Sequence, residues 1–372
     1  MEIFWLENQK SKVFYEIYKV LIMEKTAVLA ITKNGVKIGQ NLKELFPNWN
    51  IFAPVKLSNE SNEITWYSES TSEKIIELFK NNNALVCLFS LGAVIRLIAP
   101  HLKDKKTDPA VIVIDDKTNF VISVLSGHIG GANELTQEIA EKISALPVIT
   151  TAADVNKTIA VDMIGREFNW KIDDDSTVTK ISAHMVNEEP IGVFQEIGKK
   201  NWYKVLPKNV SIYDNLEDLK NSNSKAYLII SDKIIDKNLD KESVIYRPPS
   251  LVIGIGLHWD TPKETIREGI EHCLEKFKLS SKSIAKLVSI KKPQDVQGLI
   301  DIGKEMDVPV EYVNREDLSE ISAPNPSETV KAFEGTASVS EAAAIKISGG
   351  ELIVEKQKFP PNLTIAIARI MN

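Results

Sequence analysis

Short apolar runs with β-strand character alternate with amphipathic helical segments along most of this chain, and this alternation restricts the fold more than any other feature. Such alternation is typical of layered α/β folds built on a mostly parallel sheet. A short polar turn at 115–119 separates two of the runs and predicts one antiparallel hairpin. The first half predicts strands at 26–32, 50–57, 84–91, 110–114, 120–125 and 147–150, and helices at 39–46, 72–82, 93–102 and 132–145.

The alternation weakens after residue 151 and resumes after the proline-containing segment 246–250. Prolines favour an extended chain, which is typical of a linker. The sequence therefore predicts an N-terminal layered α/β domain at 1–151, a less regular middle region at 152–245 and a C-terminal three-layer α/β domain at 246–372. In the last domain, Thr261 and Glu264 match a capping box that begins a helix.

Composition restricts the functional classes. The net charge of −6 and the pI of about 5.6 give no electrostatic basis for nucleic-acid binding. No apolar run approaches the roughly 18–20 residues of a membrane helix, and Glu2 and Glu7 replace the basic start of a signal peptide. Cys87 and Cys273 lie in apolar contexts, and no Cys/His spacing matches a metal site. We expect a cytoplasmic enzyme or binding protein with no metal site of its own and no nucleic-acid or membrane partner.

A strand, a glycine-rich turn and a helix follow one another at 120–145. The turn reads Ser126-Gly127-His128-Ile129-Gly130-Gly131, and Asn133 follows in the helix. Backbone N–H groups that converge at a helix N-terminus favour an anion, and histidine titrates near neutral pH. The turn lacks the ending of a P-loop and the glycine spacing of a dinucleotide fingerprint. It predicts an anion site with its own proton donor, or else a tight connection that only needs glycine conformations.

Two further strand ends carry candidate residues. Gly92 begins a helix that carries Arg96, and the next loop contains Lys105 and Lys106. These cations are candidates for holding carboxylates, although a solvated charged loop is the favoured explanation for Lys103 and Lys106.

The strand that ends near residue 150 is followed by Thr150, Thr151 and Asp154. Ligands bind at strand ends in open α/β sheets. Asp154 is therefore a candidate base or a partner that orients His128, and an Asx turn or helix cap is the alternative.

Together these segments resemble the cobalamin biosynthesis protein G family, the cobalt-precorrin-5A hydrolases of the anaerobic corrin pathway. The matching text lies at 92–100, 106–111, 125–135 and 147–154, in the family's order and close to its spacing. The C-terminal domain adds Gly254 and Gly256 at a strand end, and segments 335–344 and 364–369. Residues 257–259 read Leu-His-Trp where the family usually has a Cys-Arg-Arg-like run.

The resemblance implies a hydrolase of cobalamin (vitamin B12) biosynthesis. Its substrate would be a cobalt-containing, ring-contracted tetrapyrrole with many carboxylate arms. Water would open the ring-A acetate lactone, and carbon–carbon cleavage would release the C20 unit as acetaldehyde to give cobalt-precorrin-5B. The cobalt arrives in the substrate, so no cofactor is expected, and other enzymes of the corrin pathway are possible partners.

The roles of individual residues are a hypothesis from their chemistry. His128 is expected to shuttle protons, with Asp154 or Glu134 as its partner. A non-catalytic carrier or pathway scaffold with the same anion site is the alternative function, followed by a phosphate- or nucleotide-binding protein. The residues expected to hold the substrate are Gly92, Arg96, Lys105, Lys106, Ser126, Gly127, Gly130, Gly131, Asn133, Thr150, Thr151, Gly254 and Gly256.

Overall fold

The computed structural model describes residues 25–58, 61–235 and 239–371 of the chain. The chain divides into two compact units, Met1–Met163 and Ile164–Asn372. One sheet lies in the first unit and two lie in the second. All three sheets are interleaved with helices, which confirms the predicted α/β class. The division at residues 151 and 245 stays a prediction.

The first unit is built on a seven-stranded sheet of order β3-β2-β1-β4-β5-β6-β7. Its strands are β1 (Thr26–Ala30), β2 (Asn50–Pro54), β3 (Ile64–Tyr67), β4 (Ala84–Leu88), β5 (Ala110–Ile114), β6 (Phe120–Leu125) and β7 (Leu146–Val148). Its helices are α1 (Lys33–Leu45), α2 (Thr71–Asn81), α3 (Leu91–Ile98), α4 (Ala132–Ile143) and α5 (Ala152–Val155).

The central strands of this sheet are parallel and fully buried. Strands β1, β4 and β5 consist of the apolar runs TAVLA, ALVCL and AVIVI, in which every residue is buried. A parallel sheet covered by helices on both faces requires such continuous apolar strands. Cys87 lies in β4 as a buried free thiol, as its context predicts.

Strand β6 runs in the opposite direction to the five strands before it. Val111 pairs with Leu125 and Ile114 with Val121, so β6 is antiparallel to β5 and the predicted hairpin is confirmed. Strand β7 is parallel to β6. The carboxyl ends of β6 and β7 therefore lie at the same edge as the amino ends of β4 and β5. We call this the histidine edge, because the turn at 126–131 follows β6 there.

The second unit contains two five-stranded sheets, of order β10-β9-β11-β12-β8 (the middle sheet) and β15-β14-β13-β17-β16 (the C-terminal sheet). The strands are β8 (Lys171–Ile172), β9 (Ile191–Gln195), β10 (Val210–Tyr213), β11 (Ala226–Ile230), β12 (Ser243–Arg247), β13 (Leu251–Leu257), β14 (Ile284–Ile290), β15 (Val310–Val313), β16 (Leu352–Phe359) and β17 (Leu363–Arg369). The helices are α6 (Val178–Val186), α7 (Leu216–Lys220), α8 (Lys263–Lys276), α9 (Gln297–Glu305), α10 (Arg315–Ser319), α11 (Glu328–Glu334) and α12 (Ser340–Ser348).

A buried ion pair joins the two sheets of the second unit. Asp232, which is 0% exposed, accepts hydrogen bonds from Arg369 Nε at 2.9 Å and Nη2 at 2.7 Å. The hydroxyl of Ser250 donates to the same carboxylate at 2.7 Å. Arg247, at the end of β12, is also buried and donates to Asp173 at 2.9 Å. Of the predicted linker at 246–250, residues 246–247 end the buried strand β12, and residues 248–250 connect it to β13 of the C-terminal sheet.

Helix α8 begins without the expected capping box. Pro262 occupies the N-cap position, and no side chain caps the helix. The hydroxyl of Thr261 donates instead to the carbonyl of His258 at 2.9 Å. The capping-box prediction is wrong because the helix starts one residue later than the motif requires. Among the helices of the described residues, none has the length and apolar character to cross a membrane.

The close packing of α12 on β13 yields a stability prediction. A Cβ at Gly254 would lie 1.9 Å from the carbonyl oxygen of Ser340 and 2.9 Å from the backbone nitrogen of Ala344. Backbone atoms cannot rotate away, so Gly254→Ala is expected to lower the free energy of unfolding by about 1–3 kcal/mol, measured by urea denaturation.

Gly92→Ala is the control, because a Cβ there would meet only the flexible end of Arg96 at 3.7 Å. It should leave stability unchanged or slightly higher. Equal stability of the Gly254→Ala variant and the parent would contradict the packing argument.

Candidate functional site

The turn between β6 and α4 is held by its own hydrogen bonds. Ser126 adopts a positive φ of 56°, and its hydroxyl donates to the carbonyl of Asp108 at 2.8 Å. A Cβ at Gly130 would lie 2.4 Å from the Cβ of Ser126, so this close approach requires glycine. The turn is therefore a preformed structure that fixes the position of His128.

Three N–H groups that the sequence predicted as an anion cradle are already used inside the turn. Gly131 donates to the carbonyl of His128 at 3.0 Å, Ala132 to Ser126 at 3.2 Å and Asn133 to Gly127 at 3.0 Å. The expectation that N–H groups converge on an anion is wrong for these three. Binding of an anion at this edge therefore cannot use these three N–H groups.

His128 lies between two carboxylates. Its Nε2 is 3.0 Å from Oδ2 of Asp154, and its Nδ1 is 3.3 Å from Oδ1 of Asp162. A histidine that donates from both ring nitrogens is the charged imidazolium. The hydrogen bond to Asp162 is the main cause of a raised pKa of His128, and Asp154 adds to it, while burial acts in the opposite direction.

Asp162 is less accessible than Asp154. The side chain of Asp162 is 17% exposed and that of Asp154 is 38% exposed. Burial alone would raise the pKa of Asp162, but the hydrogen bond with His128 and the charge of Lys105 keep it below its ordinary value. Asp162 is thus a sheltered counter-charge, and Asp154 is the carboxylate that a ligand reaches more easily.

Asn133 connects the strand, the helix and the acidic loop of this site. Its Oδ1 accepts from the hydroxyl of Ser123 at 2.7 Å, and its Nδ2 donates to Thr151 at 3.0 Å and to Asp154 at 2.8 Å. The side chain is buried. Asn133 therefore orients Asp154 rather than facing solvent as a substrate-binding group.

The structure brings together many of the predicted site residues at the histidine edge. Asp154, one of the two predicted partners, contacts the imidazole, and Asp162 takes the second ring nitrogen. The positive charge of Lys105 lowers the pKa of Asp162. The turn and the end of β7 bring Ser126, Gly127, Gly130, Gly131, Thr150 and Thr151 to the same edge, and Lys106 follows Lys105 in the exposed loop.

Other predicted residues lie elsewhere. Gly92 follows the carboxyl end of β4, at the sheet edge opposite to His128. The guanidinium of Arg96 folds back toward Gly92 and points to that opposite edge. Gly254 and Gly256 belong to the second unit, where Gly254 lies beneath α12 and a Cβ at Gly256 would lie 2.5 Å from Thr364 Oγ1. The roles of these four residues in binding stay predictions.

Asp162 is the site residue that sequence reasoning missed. It lies in a single 3₁₀ turn, Val161–Met163, and is flanked by apolar residues. An acidic residue enclosed by apolar neighbours is a signal for a paired carboxylate. Within residues 25–58, 61–235 and 239–371, no group of three or more His, Cys, Asp or Glu side chains is arranged to hold a metal ion.

Family models for three consecutive regions match this chain. The model described as cobalamin synthesis G N-terminal covers residues 73–154, cobalamin biosynthesis central region covers 159–248, and cobalamin synthesis G C-terminus covers 251–368. His128 and Asp154 lie in the first match, and Asp162 lies in the second.

Two curated relatives align along nearly their whole length. The cobalt-precorrin-5A hydrolase of Priestia megaterium is 40% identical over 353 residues, which are 92% of this chain and 94% of that protein. The cobalt-precorrin-5A hydrolase of Salmonella typhimurium is 29% identical over 340 residues, 89% of this chain and 94% of that protein.

The two carboxylates beside His128 allow a prediction of how its pKa changes when one of them is removed. Asp162→Asn removes the main cause of the raised pKa, so the imidazole should lose its proton at lower pH than in the parent protein. Nuclear magnetic resonance of the ring protons measures this pKa directly. Asp116→Asn, at the exposed β5–β6 turn, is the matched control and should leave the titration unchanged.

The same shift predicts how stability depends on pH. The folded pKa of His128 lies above the unfolded value of about 6.5. Its stabilising contribution is therefore complete below that pH and disappears as pH rises through the folded pKa. The pH-dependent difference in unfolding free energy between parent and Asp162→Asn should follow this course, and a difference that grew with rising pH would contradict it.

The hydrogen bonds of Asn133 predict that removing its amide lowers the stability of the protein. Asn133→Ala leaves the half-buried partners Ser123 and Thr151 without its amide, which should cost about 0.5–1.5 kcal/mol of unfolding free energy. Thr136→Val, three residues further along α4, is the control, since the structure shows no partner for that buried hydroxyl. It should be neutral or stabilising, and equal effects of the two substitutions would contradict the network.

Proposed function

Since the chain belongs to the cobalamin synthesis G family, we propose that it is a hydrolase of cobalamin biosynthesis that acts on cobalt-precorrin-5A. The single observation that supports this chemistry is the position of His128 between Asp154 and Asp162, whose contacts raise its pKa. An imidazolium beside an accessible carboxylate provides an acid and a base within one hydrogen bond of each other.

The proposed reaction has two stages. In the first, water attacks the carbonyl carbon of the ring-A acetate lactone, the acyl C–O bond breaks, and the oxygen that remains on C20 takes a proton. In the second, this C20 hydroxyl loses its proton, a C=O bond forms, and the bond from C20 to the ring breaks. The ring carbon keeps the electron pair and takes a proton, and C20 leaves with its methyl group as acetaldehyde. The sum is substrate plus water to cobalt-precorrin-5B plus acetaldehyde.

The geometry suggests a division of these proton transfers. Asp154, 38% exposed and oriented by Asn133, takes the proton of the attacking water. His128 donates to the oxygen of C20, recovers that proton in the second stage and delivers it to the ring carbon. Asp154 returns its proton to Nε2 of His128 across 3.0 Å, and the cycle closes. Asp162 stays ionised throughout and keeps the ring oriented.

The loop beside the site supplies positive charge for a substrate with many carboxylates. Lys105 and Lys106 are exposed there, and ammonium groups bind carboxylates through charge-assisted hydrogen bonds. We propose that the cobalt ion enters with the substrate and that no separate cofactor takes part. We propose a cytoplasmic location and exchange of intermediates with other enzymes of the corrin pathway.

Acetaldehyde release tests this function. The lactone substrate is incubated with the protein, and acetaldehyde is measured with an alcohol dehydrogenase coupled assay. His128→Asn should lower kcat by about 10²–10⁴-fold, the usual contribution of a general acid–base group. His272→Asn is the control, because His272 lies in α8, edge-on to Phe359, and should retain activity.

Two outcomes would change the assignment. If the parent protein binds the substrate and releases no acetaldehyde, a carrier of corrin intermediates is supported instead. If His128→Asn folds normally and retains full turnover, the proposed proton transfers are wrong while the family assignment stands.

A further inference from the structure

The loop that follows β9 in the middle sheet is basic and aromatic. Residues 197–213 contain Lys199, Lys200, Lys204 and Lys208 and no aspartate or glutamate. The chain as a whole carries a net charge of −6, so this loop is a local exception. Trp202 and Tyr203 lie between the lysines.

One side chain holds this loop in place. Nε2 of Gln195 donates to the carbonyls of Ile197 at 3.1 Å, Gly198 at 2.9 Å and Lys199 at 3.1 Å. Its Oε1 accepts from Nε1 of Trp202 at 2.8 Å. The amide of Gln195 thus holds residues 197–199 and Trp202 together. A ligand would not have to order this part of the loop on binding.

The loop starts at a topological switch point of the sheet. Strands β9 and β11 are parallel neighbours, and the chain leaves β9 toward β10 on one side and leaves β11 toward β12 on the other. In open α/β sheets, ligands bind outside the carboxyl ends of two such strands. The acidic groups there are already paired, because Glu196 accepts from Ser231 at 2.9 Å and contacts Lys233, and Asp232 accepts from Arg369.

Charge and aromatic surface lie close together in this loop. The rings of Trp202 and Tyr203 are half-buried and stand edge to face, with centroids 4.7 Å apart. Lys200 and Lys204 are exposed, and Val205 is 82% exposed. Glu167 is the acidic group that the charge of Lys204 reaches. The loop therefore offers ammonium groups next to an apolar patch.

We propose that residues 199–205 form a binding site for a planar macrocycle that carries several carboxylates. The lysines bind the carboxylate arms, and the aromatic residues with Val205 contact the flat ring. Neighbouring ammonium groups suit a ligand with separated negative charges, and aromatic rings suit a flat conjugated partner. The choice of this ligand class rests on the proposed function, whose substrate is a tetrapyrrole macrocycle with many carboxylate arms.

Binding of uroporphyrin, a porphyrin with eight carboxylates, tests the site without any turnover. Isothermal titration calorimetry of the full-length protein at low salt gives the Kd. Lys200→Gln with Lys204→Gln should weaken binding by about 3- to 10-fold, as expected for two exposed ion pairs, and added salt should reduce the difference.

Lys220→Gln with Lys225→Gln is the matched control. Both lysines are exposed, and Lys225 directly precedes β11, so it lies at the opposite edge of the same sheet. This pair changes the net charge equally and should leave the Kd unchanged. Equal effects of the two pairs, or no effect of either, would overturn the proposal.

The aromatic contribution is tested separately. Tyr203→Phe keeps a ring and should retain binding within about 2-fold, whereas Tyr203→Ala should weaken it by about 5- to 10-fold. Circular dichroism checks that both variants fold, and the lysine pairs decide the question if Tyr203→Ala does not. Equal binding by the Phe and Ala variants would remove the ring contact from the proposal.

Two measurements separate this inference from its alternatives. If polyglutamate competes as well as uroporphyrin at equal carboxylate concentration, the loop is a surface for an acidic protein and the macrocycle site is overturned. If the lysine pair weakens uroporphyrin binding while the parent releases no acetaldehyde from the lactone, the binding site stands and the proposed function fails.

Discussion

The antiparallel pairing of β6 with β5 determines the arrangement of the N-terminal site. It brings the carboxyl end of β6 to the edge where β4 and β5 begin. The parallel pairing of β7 with β6 then places the loop of Thr151 and Asp154 at that edge. If β6 ran parallel to β5, the glycine turn would lie at the other side of the sheet. His128 would then be separated from the loop that carries Lys105.

The sequence predicts the local part of this site well. The strand, turn and helix around His128 are continuous in the chain, and the hairpin follows from a polar turn between two apolar runs. Gly92 shows the limit of reasoning from strand ends alone. Like His128, Gly92 follows a strand, but the predicted hairpin reverses the direction of β6. The two residues therefore lie at opposite ends of the strands. Asp162 was missed because its partner is 34 residues away in the sequence, and no spacing rule connects them.

Three backbone N–H groups at the histidine edge are used within the glycine turn itself. The N–H groups of Gly131, Ala132 and Asn133 satisfy carbonyls of the same turn, so the glycines of this turn serve its shape. The carboxylates then have a double effect, since they raise the pKa of His128 and also repel an acidic ligand. Lys105 offsets part of that negative charge. A polyanionic substrate is therefore expected to approach from the lysine side of the imidazole.

The buried carboxylate of Asp232 has a consequence for how these two sheets can evolve. Its charge is balanced by Arg369, the last residue of β17, although Asp232 itself follows a strand of the middle sheet. A charged group left alone in an apolar interior costs several kcal/mol. Loss of either sheet would therefore leave one of the two charges without this partner. A descendant that keeps one sheet alone is expected to carry a neutral residue in place of Asp232 or Arg369.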